Sequence, residues 1–268
     1  MRSGAGKGIR VAITRDTSER RQQISAMVRE HGSVQVTPLA ERFGVSMQTI
    51  RKDLHFLTQR GVMERSYGGA ISSAVISVTS EPPVEAKRAI HTDEKVRIGR
   101  LAAAMVQPGE SIVLDSGTTT LQIARHLPDS EDITVVTNDF DVMAALSEKP
   151  NLKIVALGGV LRRKNMAFYG AQAVSALEDL HVDKLFLGID GFDVERGITT
   201  HYEPEAILNR TMVQAARQVI AVGDSSKFGR VCLHRIINVS EIDALVTDAA
   251  PEFITAASRD LDFTLHIA

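Results

Sequence analysis

From about residue 90 to the end of the chain, apolar segments of strand length alternate with segments of helical pattern. The strand-like segments are SIVLDSG, ITVVTN, KIVALGG, KLFLGID, QVIAVGD, DALVTD and FTLHIA. The helical candidates between them span 94–106, 118–127, 139–148, 170–180 and 203–217. Parallel strands that helices cover on both faces form short, continuous apolar runs of this kind. The sequence therefore predicts a doubly wound α/β domain over residues 90–268.

The first seventy residues show a different pattern. Three helical segments, TSERRQQISAMVREH, TPLAERF and SMQTIRKDLHFLTQ, precede VMERSYGGA, which has the pattern of a hairpin. Thr37 is the expected N-cap of the second helix, with Pro38 at its first position. The short FGVS link lets two helices cross steeply, so that the front of the third projects outward. This predicts a winged helix-turn-helix domain over residues 16–71.

The segment SSAVISVTSEPPVEAK is rich in serine and contains Pro82 and Pro83. We interpret residues 72–89 as a linker between the two domains.

Charge is distributed unevenly between these parts. Residues 1–70 carry 12 Lys+Arg and 6 Asp+Glu, a balance of +6, and the whole chain has −2, so the remainder has −8. A basic front on an acidic body indicates a domain that binds a polyanion; an ordinary solvated surface is the alternative. The candidate DNA contacts at the front of the third helix and on the hairpin are Ser46, Gln48, Thr49, Arg51, Lys52 and Arg65. Asp53 would repel phosphate, so we expect it to orient Arg51 or to cap a neighbouring group.

Polar residues follow several strands of the predicted sheet. The segment VLDSGTTTLQIARHL places small and hydroxyl residues between a strand and a helix, which suits anion binding, although simple helix capping is the alternative. Further carboxylates and cations follow other strands, at the edge where ligands of α/β sheets bind. Carboxylates can hold sugar hydroxyls, and Lys or Arg can pair with phosphate. The candidate effector-binding residues are Asp115, Ser116, Gly117, Thr118, Thr119, Thr120, Arg162, Asp190, Asp193, Glu205 and Lys227.

Residues 20–70 strongly resemble the N-terminal domain of DeoR-family bacterial transcriptional regulators. The resemblance rests on the Thr-Ile-Arg-Lys-Asp-Leu core at 49–54, on Ser46, Leu57 and Gly61, and on the Gly-Gly-Ala ending at 68–70. In that family the helix that carries this core is the DNA-recognition helix.

Residues 90–268 resemble the effector domain of the same family, which in turn looks like ribose-5-phosphate isomerase type A. The matching motifs are DSGTTT, DGFD, Glu205 and DSSK. The isomerase has a further lysine about ten residues after DGFD, but residues 194–204 contain none. Isomerisation needs a base and a cation that stabilises the enediolate, so binding without turnover is expected. Arg196 is the alternative cation in this segment.

The chain resembles repressors of amino-sugar catabolic operons, especially of N-acetylgalactosamine, in four segments: LDSGTTTLQIARHL, RRKNMAFYGAQA, FLGIDGFDVERGITTHYEPEAILNR and DSSKF. The resemblance implies a repressor that a sugar phosphate releases from operator DNA, with a dimer or tetramer carrying two or more heads. A sugar-phosphate isomerase fused to a DNA-binding head is the alternative, and an activator uses the same head. The inducing sugar phosphate and the operator are not predicted.

The remaining composition excludes several other classes. No apolar run approaches the roughly 18 residues of a membrane span, and the basic start lacks the apolar region of a signal peptide. The single cysteine, Cys232, forms no intrachain disulfide, and the eight histidines are scattered. We therefore expect a cytoplasmic protein without a metal site or cofactor.

Overall fold

The computed structural model describes residues 17–31, 33–59, 63–66, 69–72, 81–130 and 132–268. The chain divides into two compact units, 1–74 and 75–268. The first is called the head below, and the second the sensor unit.

The head contains three helices and a small antiparallel sheet, as expected for a winged helix-turn-helix. The elements are α1 (Thr17–His31), β1 (Ser33–Gln35), α2 (Val36–Phe43), α3 (Met47–Gln59), β2 (Met63–Ser66) and β3 (Gly69–Ser72). The strand order is β1-β3-β2. The turn of the predicted hairpin, with Gly68, lies outside the described residues.

The predicted start of α2 was wrong by two residues. The helix begins at Val36 with Gln35 as its N-cap, so Thr37 does not cap it and Pro38 is its third residue. Proline fits there because the N–H groups of the first turn have no partner within the helix.

The turn between α2 and α3 depends on Gly44. Its φ of 61° lies in the left-handed region, and its N–H donates to the carbonyls of Ala40 and Glu41. Glycine adopts this conformation without a steric penalty, so it ends α2 and lets α3 begin at Met47. Buried Phe43, Ile50 and Leu54 then hold α3 on the core of the head.

The sensor unit is an α/β domain. Its helices are α4 (Val84–Ala89), α5 (Thr92–Ala103), α6 (Thr118–His126), α7 (Phe140–Leu146), α8 (Ala171–Glu178), α9 (Glu203–Ala215) and α10 (Glu252–Asp260). Its strands are β4 (Ser111–Leu114), β5 (Thr134–Thr137), β6 (Lys153–Ala156), β7 (Val160–Arg162), β8 (Ala167–Tyr169), β9 (Val182–Gly188), β10 (Gly191–Asp193), β11 (Gly197–Thr200), β12 (Ala216–Val222), β13 (His234–Ile237), β14 (Ala244–Thr247) and β15 (Thr264–Ile267).

All seven predicted strands form one parallel sheet in the order β15-β14-β12-β9-β4-β5-β6. After β4 the chain adds β5 and β6 on one side of the sheet, and after β9 it adds β12, β14 and β15 on the other side. The direction in which strands are added therefore reverses between the neighbours β4 and β9. Ligands of open α/β sheets bind at such a point, at the carboxyl ends of the strands.

Both faces of this sheet are buried, because alternate residues of one strand enter different apolar cores. Val113 and Leu185 belong to one core, while Ile112, Leu114 and Phe186 belong to the other. Side chains of a strand point alternately to its two faces. The predicted fold class, a winged helix-turn-helix followed by a doubly wound α/β domain, is confirmed.

The predicted linker includes part of the sensor unit. Within residues 72–89, Val84–Ala89 form α4, and the N–H of Val84 donates to the carbonyl of Lys164 at 3.0 Å. Pro83 is the N-cap of this helix rather than a residue that prevents it. Residues 73–80 lie outside the described part, so the linker prediction applies to them unchanged.

Candidate functional site

Asp115 fixes the loop that follows β4. Its carboxylate accepts hydrogen bonds from the N–H groups of Ser116 at 2.7 Å and Gly188 at 3.1 Å, and from Asn209 Nδ2 at 3.1 Å. Burial raises its pKa to about 7, although these N–H donors oppose the shift. Asp115 therefore joins β4, β9 and α9 beneath the loop.

The loop leads directly into the first turn of α6. Gly117 has a φ of 148° and precedes the helix, and its N–H donates to Asp139 Oδ2 at 3.1 Å. Thr118, Thr119 and Thr120 form the first turn and line a cavity with Ser116 and Gly117. The first N–H groups of a helix have no partner within it, and the helix dipole favours an anion there.

Two charged residues from other strand ends face this turn. Asp190 follows β9, and Lys227 lies in the short 3-10 helix after β12. Burial opposes the ionisation of Asp190, but Lys87 and Lys227 hold its pKa below the ordinary value. Burial lowers the pKa of Lys227, while Asp190 and Asp224 oppose this shift.

Two further lysines come from the helices that precede β4. Lys87 of α4 donates to Asp190 at 2.7 Å; burial disfavours its charge, but Asp190 and Glu205 raise its pKa above the ordinary value. Lys95 of α5 donates to the carbonyls of Lys87 at 2.5 Å and Ile90 at 2.7 Å. Burial lowers the pKa of Lys95 to about 8.

The opposite side of the cavity is rich in neutral polar groups. Glu205 lies at the start of α9, where burial and the neighbouring Asp190 and Asp115 raise its pKa to about 8. Asn165 Nδ2 lies 2.5 Å from the hydroxyl of Tyr169 and 3.5 Å from Glu205 Oε2. The Tyr169 hydroxyl lies 3.1 Å from Ser116 Oγ, so this network reaches the loop after β4.

The balance of charge in the cavity favours an anion. Lys87, Lys95 and Lys227 line it, opposed by Asp190 and by Glu205, whose raised pKa keeps it largely protonated at neutral pH. Three cations and a free helix N-terminus suit a phosphate group, and the polar side suits hydroxyl or amide groups.

The structure brings most of the predicted effector-binding residues together. Those that line the cavity are Ser116, Gly117, Thr118, Thr119, Thr120, Asp190, Glu205 and Lys227.

Three of the predicted effector-binding residues do not line it. Asp115 lies below the loop, and Asp193 accepts the N–H groups of Glu195 and Arg196 in the turn after β10. Arg162 donates to Glu81 and stacks over the ring of Tyr202 at 4.2 Å. Their carboxylate or guanidinium groups are engaged by the protein itself.

The sequence analysis missed Lys87, Lys95 and Asn165. The first two lie before the first strand of the sheet, outside every strand-end motif, and Asn165 lies between β7 and β8. No sequence motif marks these three residues as part of the site.

The candidate DNA surface is at the front of α3. Ser46, Gln48, Arg51 and Lys52 are exposed and Thr49 is half-buried. Ser46 Oγ accepts the N–H of Thr49 at 3.1 Å, which caps the helix. Arg65 lies in β2 opposite Ala70, and its side chain is outside the described part.

The expectation for Asp53 was wrong. Its buried carboxylate accepts hydrogen bonds from Arg20 Nε and Arg21 Nε, both at 2.7 Å, rather than orienting Arg51. It therefore joins α3 to α1 inside the head.

In the described part of the chain, no helix has the length and apolar character that a bilayer crossing requires. The same residues contain no group of three or more His, Cys, Asp or Glu that could hold a metal ion.

Comparison with known proteins agrees with these two units. A family model described as the DeoR C terminal sensor domain matches residues 90–249, and one described as a DeoR-like helix-turn-helix domain matches residues 20–74. The chain belongs to the DeoR family of transcriptional regulators, which confirms the family predicted from the sequence.

Individual relatives cover nearly the whole chain. A candidate aga operon transcriptional repressor of Escherichia coli O157:H7 is 46% identical over 87% of this chain and 86% of its own length. The HTH-type transcriptional repressor GlcR of Bacillus subtilis (strain 168) is 34% identical over 87% of this chain and 89% of its own. Among solved structures, ribose 5-phosphate isomerase A of Methanocaldococcus jannaschii shares 16% identity over 51% of this chain and 54% of its own, with a TM-score of 0.37.

Proposed function

We propose that this protein represses a sugar-utilisation operon and that a phosphorylated sugar bound in the sensor cavity releases it from operator DNA. The names of its relatives as operon repressors support the first part. The observation that carries the second part is the cavity at the reversal of strand order, where three lysines and the N-terminus of α6 converge.

The phosphate of the effector would lie at the first turn of α6. There it accepts from the free N–H groups of the turn and pairs with Lys95 and Lys227. The sugar would extend toward Asn165 and Glu205, whose polar atoms suit hydroxyl, amine or acetamido groups. Because the resemblance to amino-sugar operon repressors points the same way, a phosphorylated amino sugar is the proposed effector.

A screen of pentose, hexose and amino-sugar phosphates by thermal shift, followed by operator-release assays on each hit, tests this proposal. Lys227→Ala should keep operator binding but lose release, because it alters only the sensor cavity. Asp190→Asn should likewise lose release by the sugar phosphate. Lys153→Ala, at an exposed lysine of β6, is the matched control. Normal release by both cavity variants would contradict the proposal.

The exposed front of α3 is the proposed DNA contact. Arg51→Ala should weaken operator binding about tenfold or more at fixed salt, since a base or phosphate contact of arginine contributes about 1–3 kcal/mol. Arg259→Ala removes the same charge from an exposed position of α10 and should leave binding unchanged. Equal affinity of the Arg51 variant and the wild type would remove Arg51 from the interface.

The same proposal places the protein with the chromosome in the cytoplasm, as a homo-oligomer. One head neutralises too few phosphates for selective binding, so two or more heads on spaced half-sites are required. We also propose that the chain does not isomerise its effector, because residues 194–204 offer no lysine for the enediolate. Measurable turnover of a stabilising sugar phosphate by purified protein would contradict this part.

A further inference from the structure

Residues 81–89 lie against the effector cavity, and we call them the strap. Glu81, at its start, has a side chain that is only 3% exposed. Arg162 donates to it through both terminal nitrogens, with Nη1 at 2.9 Å from Oε1, and Lys164 Nζ lies 3.6 Å from Oε2. Although burial opposes ionisation, Arg162 and Lys87 hold the pKa of Glu81 below its ordinary value.

The strap is held at further points along its length. The backbone N–H of Val84 donates to the carbonyl of Lys164, and buried Val84 lines the cavity. Lys87 donates to Asp190 at 2.7 Å, and its carbonyl accepts from Lys95. The side chains and backbone of the strap thus contact residues from the β7–β8 region, the end of β9 and α5.

The cavity behind the strap is too small for a sugar phosphate. Its volume is about 40 Å³, which is room for a few waters. Small-molecule sites typically measure several hundred Å³. A sugar phosphate therefore enters this site only if part of its wall moves. The strap contributes Val84 and Lys87 to that wall, and its helix is only six residues long.

We propose that the ion pair of Glu81 and Arg162 is a latch that holds Lys87 against Asp190, and that effector binding opens this latch and displaces the strap. Glu81 and Arg162 are then positioning residues, which act on the effector through Lys87. This inference rests on the proposed function, because it assigns the regulation of the same cavity.

Such a latch can open without a large penalty. The net free energy of forming a buried ion pair is small, because the attraction between its charges offsets the loss of their hydration. A sugar hydroxyl that donates to Asp190 would replace Lys87 as the partner of this carboxylate and free the strap from it. The strap is also the first described segment of the sensor unit after the head in the sequence.

Hydrogen exchange of the full-length protein tests the latch without any effector. Glu81→Gln removes the charge that Arg162 and Lys87 face, so exchange over residues 84–90 should rise at least about tenfold. Glu85→Gln makes the same change at an exposed residue of the same helix and should leave exchange as in the wild type. Unchanged exchange in the Glu81 variant would overturn the latch.

Restoring the pair distinguishes a latch from general damage. Arg162→Gln should reproduce the effect of Glu81→Gln, and Arg162→Lys should return exchange toward the wild type, because it keeps a positive charge beside Glu81. A lysine variant that exchanges as fast as Arg162→Gln would count against a specific ion pair.

Effector affinity provides a readout that structural damage does not imitate. With the sugar phosphate that stabilises the wild type most in the thermal-shift screen, Glu81→Gln should bind about tenfold more tightly, because a larger fraction of the protein is already open. Weaker binding would instead mean that the strap closes on the effector, and it would overturn the proposal.

Adding that sugar phosphate to the wild type should raise exchange over residues 84–90, and inorganic phosphate is the control for the anion alone. Binding with unchanged or slower exchange in the strap refutes the opening of the latch but leaves the proposed function intact. If no sugar phosphate binds while Glu81→Gln still frees the strap, the proposed function fails and the latch contact stands without its regulatory role.

Discussion

At the scale of single residues, Asp53 is a buried carboxylate with two arginine partners. Asp53 in the head is 1% exposed and lies between Arg20 and Arg21. Arg20 is itself 3% exposed, so the pair lies almost entirely out of water. Removing one partner of a buried pair leaves the other charge without compensation.

Asp53→Ala should therefore lower the free energy of unfolding of the head by about 3–5 kcal/mol. Glu41→Ala, at an exposed carboxylate of α2, should change it by less than about 0.5 kcal/mol. Chemical denaturation of both variants measures the difference. A loss below about 1 kcal/mol for Asp53→Ala would show that the buried contact contributes little.

Glu205 predicts a pH dependence of the sensor unit. Its pKa is about 8 in the folded protein and near its ordinary 4.5 in the unfolded chain. Between these values the unfolded state loses its proton while the folded state keeps it, so the contribution of Glu205 to stability falls as the pH rises. It is fully present below about pH 4 and is lost by about pH 8.

Glu205→Gln isolates this contribution because glutamine has the size of a protonated glutamate and does not titrate. From pH 5 to 8, the wild type should lose stability relative to the variant by at most about 1.4 kcal/mol per pH unit. Unfolding free energies at several pH values measure this difference. Parallel curves for the two proteins would contradict the raised pKa of Glu205.

Polar residues that directly follow strands predicted much of the candidate site. The sequence did not show which of these side chains form hydrogen bonds or ion pairs with other residues of the fold. Ser116, Asp190 and Lys227 were found because they follow strands of the sheet. Arg162 carried the right chemistry, yet it is engaged by Glu81, a residue far away in the sequence. A basic side chain can line the cavity or pair with another side chain, and distances in the folded chain decide which of the two occurs.

At the scale of elements, the position of α6 depends on close packing with α5. Gly99 of α5 faces α6 so closely that an added Cβ would lie 2.4 Å from Gln122 Cβ and 2.7 Å from its backbone carbonyl carbon. Because α6 begins with the threonine turn of the cavity, the absence of a side chain at Gly99 determines where the proposed anion site lies.

Gly99→Ala should therefore destabilise the sensor unit by about 1–3 kcal/mol, although alanine favours a helix over glycine by about 1 kcal/mol. It should also weaken binding of the effector, since the first turn of α6 must shift. Gly158→Ala is the control, because an added Cβ there meets nothing within 4 Å. Equal stability of the Gly99 variant and the wild type would show that the two helices separate at no cost.

Element prediction from sequence succeeded where the pattern was long and failed where the helix was short. All seven parallel strands coincide with apolar runs in the sequence, so their existence was predictable. Helix α4 has only six residues, which is too short for a periodic apolar pattern. Because it also follows two prolines, its sequence looks like that of a linker. Tertiary contacts with residues around the cavity stabilise this helix, and a local sequence pattern does not show such contacts.

At the scale of the whole molecule, the head and the sensor unit differ in charge and in architecture. The head offers an exposed, basic helix front, while the sensor unit offers a cavity built for an anion. The family and both folds followed from the sequence, because helix, strand and turn patterns agreed with one another over each unit. The identity of the sugar depends on distances inside a small polar cavity, and a residue pattern does not encode these.

The central claim is that effector and operator bind the same protein with opposing effects. Thermodynamic linkage requires the factor by which an effector weakens operator binding to equal the factor by which operator weakens effector binding.

Measuring both dissociation constants of the wild type, each with and without saturating amounts of the other ligand, tests this claim most directly. We expect equal factors of about tenfold or more for a phosphorylated sugar. An effector whose dissociation constant is the same with and without operator would contradict the account.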